Sequence, residues 1–262
     1  MKLEDKVAVV TGGAMGNGYG IVEVFCKYGA KVAILDYSDE LKETVNKFSD
    51  LGYEVVGFKV DIRDKNIVDV CIGKVIDKYG KIDILVNNAG ICMLEKFVDM
   101  SDEIRDKHFD INIKGTWNVT KSVLPYMIEN NYGSIVNLSS VTGPMVADSG
   151  EVAYATTKSA LIGFTKAMAM EYVDYNIRVN AILPGYILTP MVKNMSIESS
   201  PLHPNSVIES IESSIPMKRM GTIRELGELA AFLASDESSY ITGSEFVIDG
   251  GSTLPETNSM GV

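Results

Sequence analysis

Short apolar runs alternate with amphipathic segments along almost the whole 262-residue chain, and this alternation restricts the fold more than any other feature. The apolar runs are predicted strands, at positions 6–11, 31–35, 54–60, 82–86, 134–138, 177–183 and 245–248. The segments between them carry apolar residues at helical spacing, as at Ile21, Val24 and Tyr28. Strands that are apolar along their whole length are typical of a parallel sheet covered by helices on both faces. The pattern predicts a single α/β domain over residues 1–262, with a doubly wound parallel sheet of about seven strands.

One segment does not follow this alternation. Residues 191–216 are rich in serine and contain Pro201 and Pro204, so the sequence predicts an irregular segment there. Long loops inside compact domains are more often functional than idle. We therefore expect residues 191–216 to form a loop or lid over a substrate-binding site.

Charge and hydropathy limit the classes of partner. The formal net charge is −11 and the pI is about 4.7, which argues against nucleic acid or an anionic membrane surface. No apolar run approaches the ~18 residues that a transmembrane helix requires. The N-terminal segment also lacks the pattern of a signal peptide. We expect a soluble, cytoplasmic protein.

The cysteines and histidines give little basis for a metal site. Cys26, Cys71 and Cys92 are odd in number and widely spaced, which is typical of free thiols in a reducing compartment. The chain has two histidines, His108 and His203. They give little support for a His-based metal centre or for a Ser-His-Asp triad. We expect no bound metal.

A glycine-rich turn follows the first predicted strand. Gly12, Gly16 and Gly18 lie where that strand leads into the first helix. Backbone N–H groups and the helix N-terminus can then approach a pyrophosphate, as in the dinucleotide-binding turn of a Rossmann fold. The spacing is Thr-Gly-x-x-x-Gly-x-Gly rather than Gly-x-Gly-x-x-Gly, so the turn alone is weak evidence.

Asp36 at the end of the second predicted strand strengthens this interpretation. An acidic residue about 20 residues after the turn can accept hydrogen bonds from an adenosine ribose. Its carboxylate would repel a 2′-phosphate, and neither Met15 nor Tyr37 supplies a compensating positive charge. The sequence therefore favours NAD(H) over NADP(H). The alternative for Asp36 is a structural one, as the N-cap of the next helix.

Tyr154 and Lys158 are four residues apart, which places them on one face of a helix. A free phenol has a pKa of ~10, and a neighbouring ammonium lowers that pKa. Such a phenol can give a proton to a carbonyl oxygen or take one from an alcohol. On its own, this pair is also common on solvated helices.

Further motifs accompany these features in a fixed order. Together the motifs are Thr11-Gly12-x-x-x-Gly16-x-Gly18, Asp61, Asn87-Asn88-Ala89-Gly90, Asn112, Ser139-Ser140, Tyr154-x-x-x-Lys158 and Pro184-Gly185. In their order and spacing the chain resembles the short-chain dehydrogenase/reductase family over essentially its whole length. Within the family it is most similar to the UcpA-type oxidoreductases, through residues 110–115, 139–143, 230–240 and 250–257. Hydroxysteroid dehydrogenases share the same scaffold and motifs.

The resemblance implies catalytic roles for four residues. Tyr154 is the general acid/base, and Lys158 depresses its pKa and holds the nicotinamide ribose. Ser140 hydrogen-bonds the substrate oxygen, and Asn112 supports a water that relays protons past Lys158. Without the resemblance, Ser140 could equally cap or bond locally, and Asn112 would be a solvated polar position in a helix.

The resemblance also implies a set of cofactor contacts. Asp61 and Ile62 flank the adenine, Asn88 to Gly90 support the ribose, and Pro184 to Thr189 line the nicotinamide side. The full implied set is Gly12, Met15, Gly16, Asn17, Gly18, Asp36, Tyr37, Asp61, Ile62, Asn88, Ala89, Gly90, Tyr154, Lys158, Pro184, Gly185, Ile187 and Thr189.

Two positions depart from the common family pattern. Asn17 occupies a turn position where the family commonly has an aliphatic residue, which leaves its contacts with the cofactor open. The interval from Ser140 to Tyr154 is one residue longer than in many relatives. The choice between Ser139 and Ser140 is therefore open from the sequence alone.

The residues expected around the substrate are mostly apolar. Cys92-Met93-Leu94 and Met145-Val146 are predicted to line this region together with the 191–216 segment. We expect an apolar secondary alcohol or ketone, with hydroxysteroids and bile-acid-like molecules among the candidates. The alternatives are a β-ketoacyl thioester reductase on the same fold and a non-catalytic NAD-sensing or scaffold protein. The resemblance further implies a homo-oligomer, either a tetramer or a dimer.

Overall fold

The computed structural model describes residues 1–255, apart from the side chains at positions 191, 195, 198 and 199. Its strands are β1 (Val7–Thr11), β2 (Lys31–Asp36), β3 (Val55–Lys59), β4 (Ile84–Asn87), β5 (Gly133–Leu138), β6 (Ile177–Pro184) and β7 (Glu245–Ile248). They form one parallel sheet in the order β3-β2-β1-β4-β5-β6-β7. The predicted doubly wound α/β fold is confirmed. Residues 256–262 of the predicted domain lie outside the described residues.

Helices cover both faces of the sheet. Their bounds are α1 (Gly16–Lys27), α2 (Leu41–Asp50), α3 (Lys65–Tyr79), α4 (Asp102–His108), α5 (Thr116–Glu129), α6 (Val152–Tyr172), α7 (Pro190–Ser199), α8 (Pro204–Ser214) and α9 (Ile223–Ala234). A π-helical turn at Phe109–Gly115 joins α4 to α5. Helices α1, α2 and α9 pack in one apolar cluster, and α3, α5 and α6 contribute to the other. Among the described residues, no helix has both the length and the apolar character needed to cross a bilayer.

The strand β1 shows how one apolar run serves both layers. Successive side chains in a strand point to opposite faces of the sheet. Ala8 and Val10 accordingly pack in the cluster with α1 and α9, whereas Val7 and Val9 pack in the cluster with α3 and α5. All four side chains are buried. This is why the strand is apolar throughout instead of alternating with polar residues.

The order of the strands creates a crevice beside β1. Its neighbours are β2 on one side and β4 on the other, because the chain runs from β1 through β2 to β3 and then crosses back to β4, after which it continues in the opposite direction. Ligands of such sheets bind outside the carboxyl ends of the strands at this switch point. The motifs at Gly12, Asn88 and Ser140 follow the ends of β1, β4 and β5, and they therefore meet at one edge of the sheet.

The segment 191–216 is helical, so the prediction of an irregular loop is wrong. Helix α7 begins at Pro190, and the Thr189 hydroxyl caps it by accepting a hydrogen bond from the Val192 N–H at 3.3 Å. Helix α8 begins at Pro204. Proline fits the first turn of a helix, because its φ angle is already helical and no N–H is needed there. These prolines start helices rather than interrupting them.

Candidate active site

A cavity of about 700 Å³ lies at the carboxyl ends of the strands. Most predicted site residues line it: Gly12, Met15, Gly16, Asn17, Asp36, Tyr37, Asp61, Ile62, Asn88, Ala89, Gly90, Ser140, Tyr154, Lys158, Pro184, Gly185 and Thr189. Gly18, Asn112 and Ile187 are buried and do not line the cavity. The structure thus brings both halves of the predicted site, the dinucleotide half and the catalytic half, to one cavity.

The glycine-rich turn brings backbone close to backbone. A Cβ on Gly18 would lie 2.0 Å from the Gly12 carbonyl oxygen, so no larger residue fits without a shift of the turn. Gly12 itself has a φ of 64°, a conformation that favours glycine. In the described part of the chain, no side chain caps the N-terminus of α1. The first N–H groups of α1 are therefore available to an anion such as a pyrophosphate.

Thr11 and Asn88 hold this turn against the end of β4. The Thr11 hydroxyl oxygen accepts hydrogen bonds from the N–H groups of Asn88 and Ala89, both at 3.0 Å. The Asn88 side-chain amide donates to the carbonyl oxygens of Thr11 at 3.0 Å and Gly12 at 2.9 Å. Asn88 therefore fixes the shape of the turn, a role that the sequence alone did not reveal. The sequence did contain a signal for the role of Thr11, because a threonine directly precedes the first glycine of the turn.

Asp36 lies beside the same turn, and its carboxylate is held by backbone. Its two oxygens accept hydrogen bonds from the N–H groups of Ala14 at 2.8 Å and Ser38 at 2.9 Å. Helix α2 begins only at Leu41, so the alternative role of Asp36 as its N-cap is wrong. The carboxylate keeps a fixed position in the cavity wall. A negative charge at this position repels other anions that approach it.

Arg63 is a cation of the cavity wall that sequence reasoning missed. Its guanidinium donates to both oxygens of Asp61, with Nε at 3.0 and 2.9 Å and Nη2 at 2.5 Å. This pairing holds the pKa of Asp61 below its usual range. Because Asp61 neutralises it, Arg63 offers less attraction to a phosphate than a free arginine would. Only the fold brings Arg63 into the cavity wall.

Lys158 is a buried cation one helical turn after Tyr154. Its side chain donates to the Leu138 carbonyl oxygen at 2.8 Å, and its Nζ lies 5.6 Å from the centroid of the Tyr154 ring. Lys158 is 5% exposed. Burial disfavours the charged ammonium and lowers the pKa of Lys158 to about 8.

Tyr154 is half-buried beside Ser140, and its pKa moves in the direction opposite to the prediction. Burial is the largest cause and raises the pKa of Tyr154 to about 12. A hydrogen bond with Ser140 lowers this pKa, whereas the nearby groups of Cys92 and Glu151 raise it. Lys158 is not among the causes of this shift, so the predicted depression of the Tyr154 pKa by Lys158 is wrong for the protein without a bound cofactor.

The two serines after β5 have different partners. The Ser139 hydroxyl donates to the Lys158 carbonyl oxygen at 2.7 Å and so braces α6 against the strand. The Ser140 hydroxyl oxygen accepts from the Thr142 N–H at 3.1 Å and also bonds to Tyr154. The structure therefore places Ser140, rather than Ser139, beside the reactive phenol.

Asn112 lies in the π-helical turn and is only 1% exposed, so the solvated position considered from sequence is wrong. Its Oδ1 accepts from the Ile91 N–H at 2.9 Å. Its Nδ2 donates to the Ile91 carbonyl oxygen at 3.1 Å and to the Thr157 hydroxyl oxygen at 3.0 Å. A Cβ on Gly90 would lie 3.2 Å from Oδ1 and 3.4 Å from the Lys158 Nζ. Glycine at this position keeps the space between the amide and the ammonium open.

The segment after β4 forms the wall next to the catalytic groups. Cys92 lines the cavity, and burial raises the pKa of its thiol to about 11, so the thiol is neutral. The Met93 N–H donates to Nε2 of the buried His108 at 3.0 Å, and the Glu95 N–H donates to the Gly150 carbonyl oxygen at 3.0 Å. These bonds fix the wall to α4 and to the start of α6.

Glu151, directly before α6, is a further group that sequence reasoning did not assign. Its Oε2 is buried and has no hydrogen-bond partner among residues 1–255. Its charge raises the pKa of Tyr154, of Cys92 and of Tyr186. Within the described residues, no group of three or more histidine, cysteine or acidic side chains is arranged to hold a metal ion.

Comparison with known proteins places the chain in a family. The matching family model is described as Enoyl-(Acyl carrier protein) reductase and covers residues 12–253. The chain belongs to the short-chain dehydrogenase/reductase family. It is 52% identical over 261 residues to the oxidoreductase UcpA of Salmonella typhimurium, with 100% of this chain and 99% of the relative covered. The predicted resemblance to the family and to UcpA-type oxidoreductases is confirmed.

Other family members are named for different activities. The 3-oxoacyl-[acyl-carrier-protein] reductase FabG of Thermotoga maritima is 42% identical, with 96% of this chain and 99% of the relative covered. The ligand-free structure of Thermoplasma acidophilum aldohexose dehydrogenase superposes with a TM-score of 0.90 at 34% identity, covering 99% of this chain and 98% of that one. Family membership establishes an oxidoreductase that uses a nicotinamide cofactor.

The residues at the site fit such a cofactor. The close approach at Gly18 and the uncapped N-terminus of α1 give a cradle for a pyrophosphate. The amide oxygen of Asn17, another residue of the cavity wall, is buried and lacks a partner within the described chain. The cavity thus combines free backbone donors with an unused polar side chain at the place where this family binds its cofactor.

Proposed function

We propose that the protein is an NAD(H)-dependent oxidoreductase that interconverts a secondary alcohol and a ketone. The observation that carries the proposal is that Ser140, Tyr154 and Lys158 line the same cavity as Asp36. The first three are the groups needed to move a proton to or from a substrate oxygen. Asp36 supports the choice of NAD(H) as the cofactor.

Each part of the cavity has a role in holding the dinucleotide. The N-terminus of α1 faces the pyrophosphate, Asp36 accepts hydrogen bonds from the adenosine ribose, and Thr189 borders the nicotinamide side. Asp61 and Ile62 border the adenine. When bound, the nicotinamide supplies or accepts the hydride.

The proton is the contribution of the protein. In the reducing direction Tyr154 gives its phenolic proton to the carbonyl oxygen while the Ser140 hydroxyl hydrogen-bonds the same oxygen. In the oxidising direction the phenolate takes the proton of the alcohol. Lowering the pKa of Tyr154 from about 12 to near 7 requires about 7 kcal/mol in favour of the phenolate. The Lys158 ammonium and the positive charge of an oxidised nicotinamide supply opposite charge for this purpose.

The wall around Asp36 supports NAD(H) over NADP(H). A 2′-phosphate at that ribose would face a carboxylate that two backbone N–H groups hold in place. The nearby cation Arg63 is already paired with Asp61. Like charges that are fixed close together destabilise a complex, whereas ribose hydroxyls can donate to the carboxylate.

The substrate proposal rests on the apolar side chains beside the catalytic groups. Ile91, Cys92 and Ile111 line the cavity, and Leu94 and Met145 are exposed in the neighbouring segments. We propose an apolar alcohol or ketone, with hydroxysteroids and bile-acid-like molecules as the first candidates. The helices α7 and α8, which follow Thr189, are proposed to close over it.

A β-ketoacyl thioester reductase is the second candidate. The 42% identity to a FabG protein favours it, and so does Lys107, an exposed cation of the cavity wall that could attract an anionic carrier. Asp36 argues against it, because NADPH is the expected reductant of such enzymes. The choice of cofactor therefore separates the two candidates.

Assembly and location are also proposed. The rings of Trp117 and Phe164 pair at 5.4 Å between α5 and α6, and Trp117 is largely exposed. An exposed aromatic pair supports a homo-oligomer, a dimer or tetramer, in which this face is covered. The free thiols of Cys26, Cys71 and Cys92 support a reducing, cytoplasmic location. Light scattering of the purified protein tests the first of these proposals, and a monomer would contradict it.

A substrate panel tests the proposed function. Oxidation of NADH and NADPH is followed with ketosteroids, simple ketones, sugars and β-ketoacyl thioesters. Turnover of an apolar ketone with NADH is the expected result. Turnover of thioesters with NADPH alone would favour the second candidate and would show that Asp36 does not exclude a 2′-phosphate. Tight NADH binding without turnover of any compound would favour a non-catalytic sensor or scaffold.

A further inference from the structure

Asn17 is a cavity-wall residue with an unused amide. It is the second residue of α1 and lies between Gly16 and Gly18 of the glycine-rich turn. Its Oδ1 is buried and accepts no hydrogen bond from any residue in 1–255. An unpaired buried polar atom costs roughly 1–3 kcal/mol, so such an atom in a binding cavity calls for a partner.

The other buried polar atoms without partners have a different setting. Tyr79, Asn87 and Glu151 do not line the cavity. The Asn87 amide is also fixed by donating to Thr120 at 3.0 Å and to Asn137 at 2.8 Å. Among the side chains that the structure describes, Asn17 alone combines an unpaired buried oxygen with a place in the wall of the proposed cofactor site.

The chemistry of the amide decides which part of a nicotinamide dinucleotide it meets. An unpaired carbonyl oxygen requires a donor, and a pyrophosphate at neutral pH offers only acceptors. The nicotinamide carboxamide offers an NH2 group as donor and a carbonyl oxygen as acceptor, which complement the two ends of the asparagine amide. The torsion about the last side-chain bond of asparagine is soft, so Oδ1 can turn toward the cavity without moving the backbone.

The position of the turn agrees with this assignment. A Cβ on Gly16 would lie 3.8 Å from the Thr189 side chain, so the turn and the start of α7 approach each other across the cavity. Thr189 belongs to the segment proposed to border the nicotinamide. The adenine amine, another donor of the cofactor, is proposed to lie at the other end, beside Ile62.

We propose that the Asn17 amide pairs with the carboxamide of the nicotinamide and so fixes the orientation of the ring. The inference rests on the proposed cofactor site, but it holds for NAD(H) and NADP(H) alike. An aliphatic side chain at this position cannot make the pair. Asn17 is therefore a positioning residue for the cofactor rather than a group that acts on the substrate.

Calorimetric binding of three ligands tests the proposal without relying on activity. The ligands are NAD, 3-acetylpyridine adenine dinucleotide, in which a methyl group replaces the carboxamide amino group, and ADP-ribose, which lacks the ring. The variant is Asn17→Leu. The control is Asn66→Leu, because Asn66 is likewise the second residue of a helix, α3, but is exposed and outside the cavity.

We expect Asn17→Leu to weaken NAD binding roughly 3- to 10-fold, which corresponds to the loss of one hydrogen bond. Its affinity for ADP-ribose should stay at the wild-type value, which also shows that the variant is folded. Wild-type protein should bind NAD more tightly than the acetylpyridine analogue, and this preference should shrink in Asn17→Leu. Asn66→Leu should match the wild type with all three ligands.

Two results would overturn the pairing. Equal wild-type affinities for NAD and the acetylpyridine analogue would exclude a contact with the amino group, and this measurement needs no variant. Equal weakening of all three ligands in Asn17→Leu would assign the amide to the ribose or the pyrophosphate instead. Failure of the wild type to bind either NAD or NADP would instead contradict the proposed cofactor site itself.

Discussion

Replacement of Lys158 by methionine removes a buried ammonium while keeping a side chain of similar length. In the folded protein, burial lowers the pKa of Lys158 to about 8 from its ordinary value of 10.5. The unfolded chain therefore binds more protons than the folded chain between pH 8 and 10.5. The free energy of unfolding of the wild type must then rise with pH across this window. Integrated from pH 7 to 10.5, the contribution of Lys158 amounts to about 3 kcal/mol.

The methionine variant lacks this pH dependence and loses one hydrogen bond, the one to the Leu138 carbonyl oxygen. The lost bond contributes a roughly constant offset of about 1 kcal/mol. At pH 7 we expect Lys158→Met to be more stable than the wild type by about 2 kcal/mol. Near pH 10.5 the wild type should be the more stable protein by about 1 kcal/mol. Denaturant unfolding at pH 7, 8, 9, 10 and 10.5 measures the difference.

The test depends on how the difference between the two proteins changes with pH, because other groups titrate in both. Lys121→Met, which removes an exposed lysine of α5, controls for the loss of one charge. A difference between wild type and Lys158→Met that is the same at every pH would refute the reasoning. It would mean that the ammonium is as well solvated in the folded protein as in the unfolded chain.

Three further variants probe the site. Glu151→Gln removes a charge that raises the pKa of Tyr154. The rate of alcohol oxidation, which rises with pH as Tyr154 loses its proton, should therefore rise at lower pH in the variant. An unchanged or higher midpoint of this pH–rate curve would contradict the expectation. Gly18→Ala forces a methyl group against the carbonyl oxygen of the turn, and we expect a loss of roughly 1–3 kcal/mol in stability and weaker NADH binding by calorimetry. His108→Leu leaves a backbone N–H of the cavity wall unpaired and should destabilise by roughly 1–3 kcal/mol in urea unfolding, whereas exposed His203→Leu should change little.

The fold and the position of the site followed from local features of the sequence. Fully apolar strands such as Val7–Thr11 specify a parallel sheet buried on both sides. In such a sheet, residues after the strand ends meet at one edge, which predicts the position of the Gly12 turn, whereas the family resemblance was needed to assign Asn88 and Tyr154 to the same site. The glycine turn was predictable because only glycine tolerates that backbone approach.

The remaining features depend on tertiary contacts that no local pattern encodes. Pro204 reads as a helix breaker in sequence, yet at the first position of α8 it begins a helix. The pKa of Tyr154 depends mainly on how much solvent the fold removes from the phenol, which the spacing of Tyr154 and Lys158 does not reveal. Thr157 acquires its role only from the fold, because its hydrogen-bond partner Asn112 is 45 residues away in the chain.

The most direct test of the central claim compares Tyr154→Phe with the wild type on the best ketone of the panel. The phenol hydroxyl is the proposed proton donor, so its removal should lower kcat by ~10²–10⁴-fold. The Kd for NADH, measured by calorimetry, should stay close to the wild-type value because the ring is retained. This pair of results would locate the defect in proton transfer. A kcat within a few-fold of the wild type at unchanged NADH affinity would contradict the assignment of Tyr154 as the general acid/base.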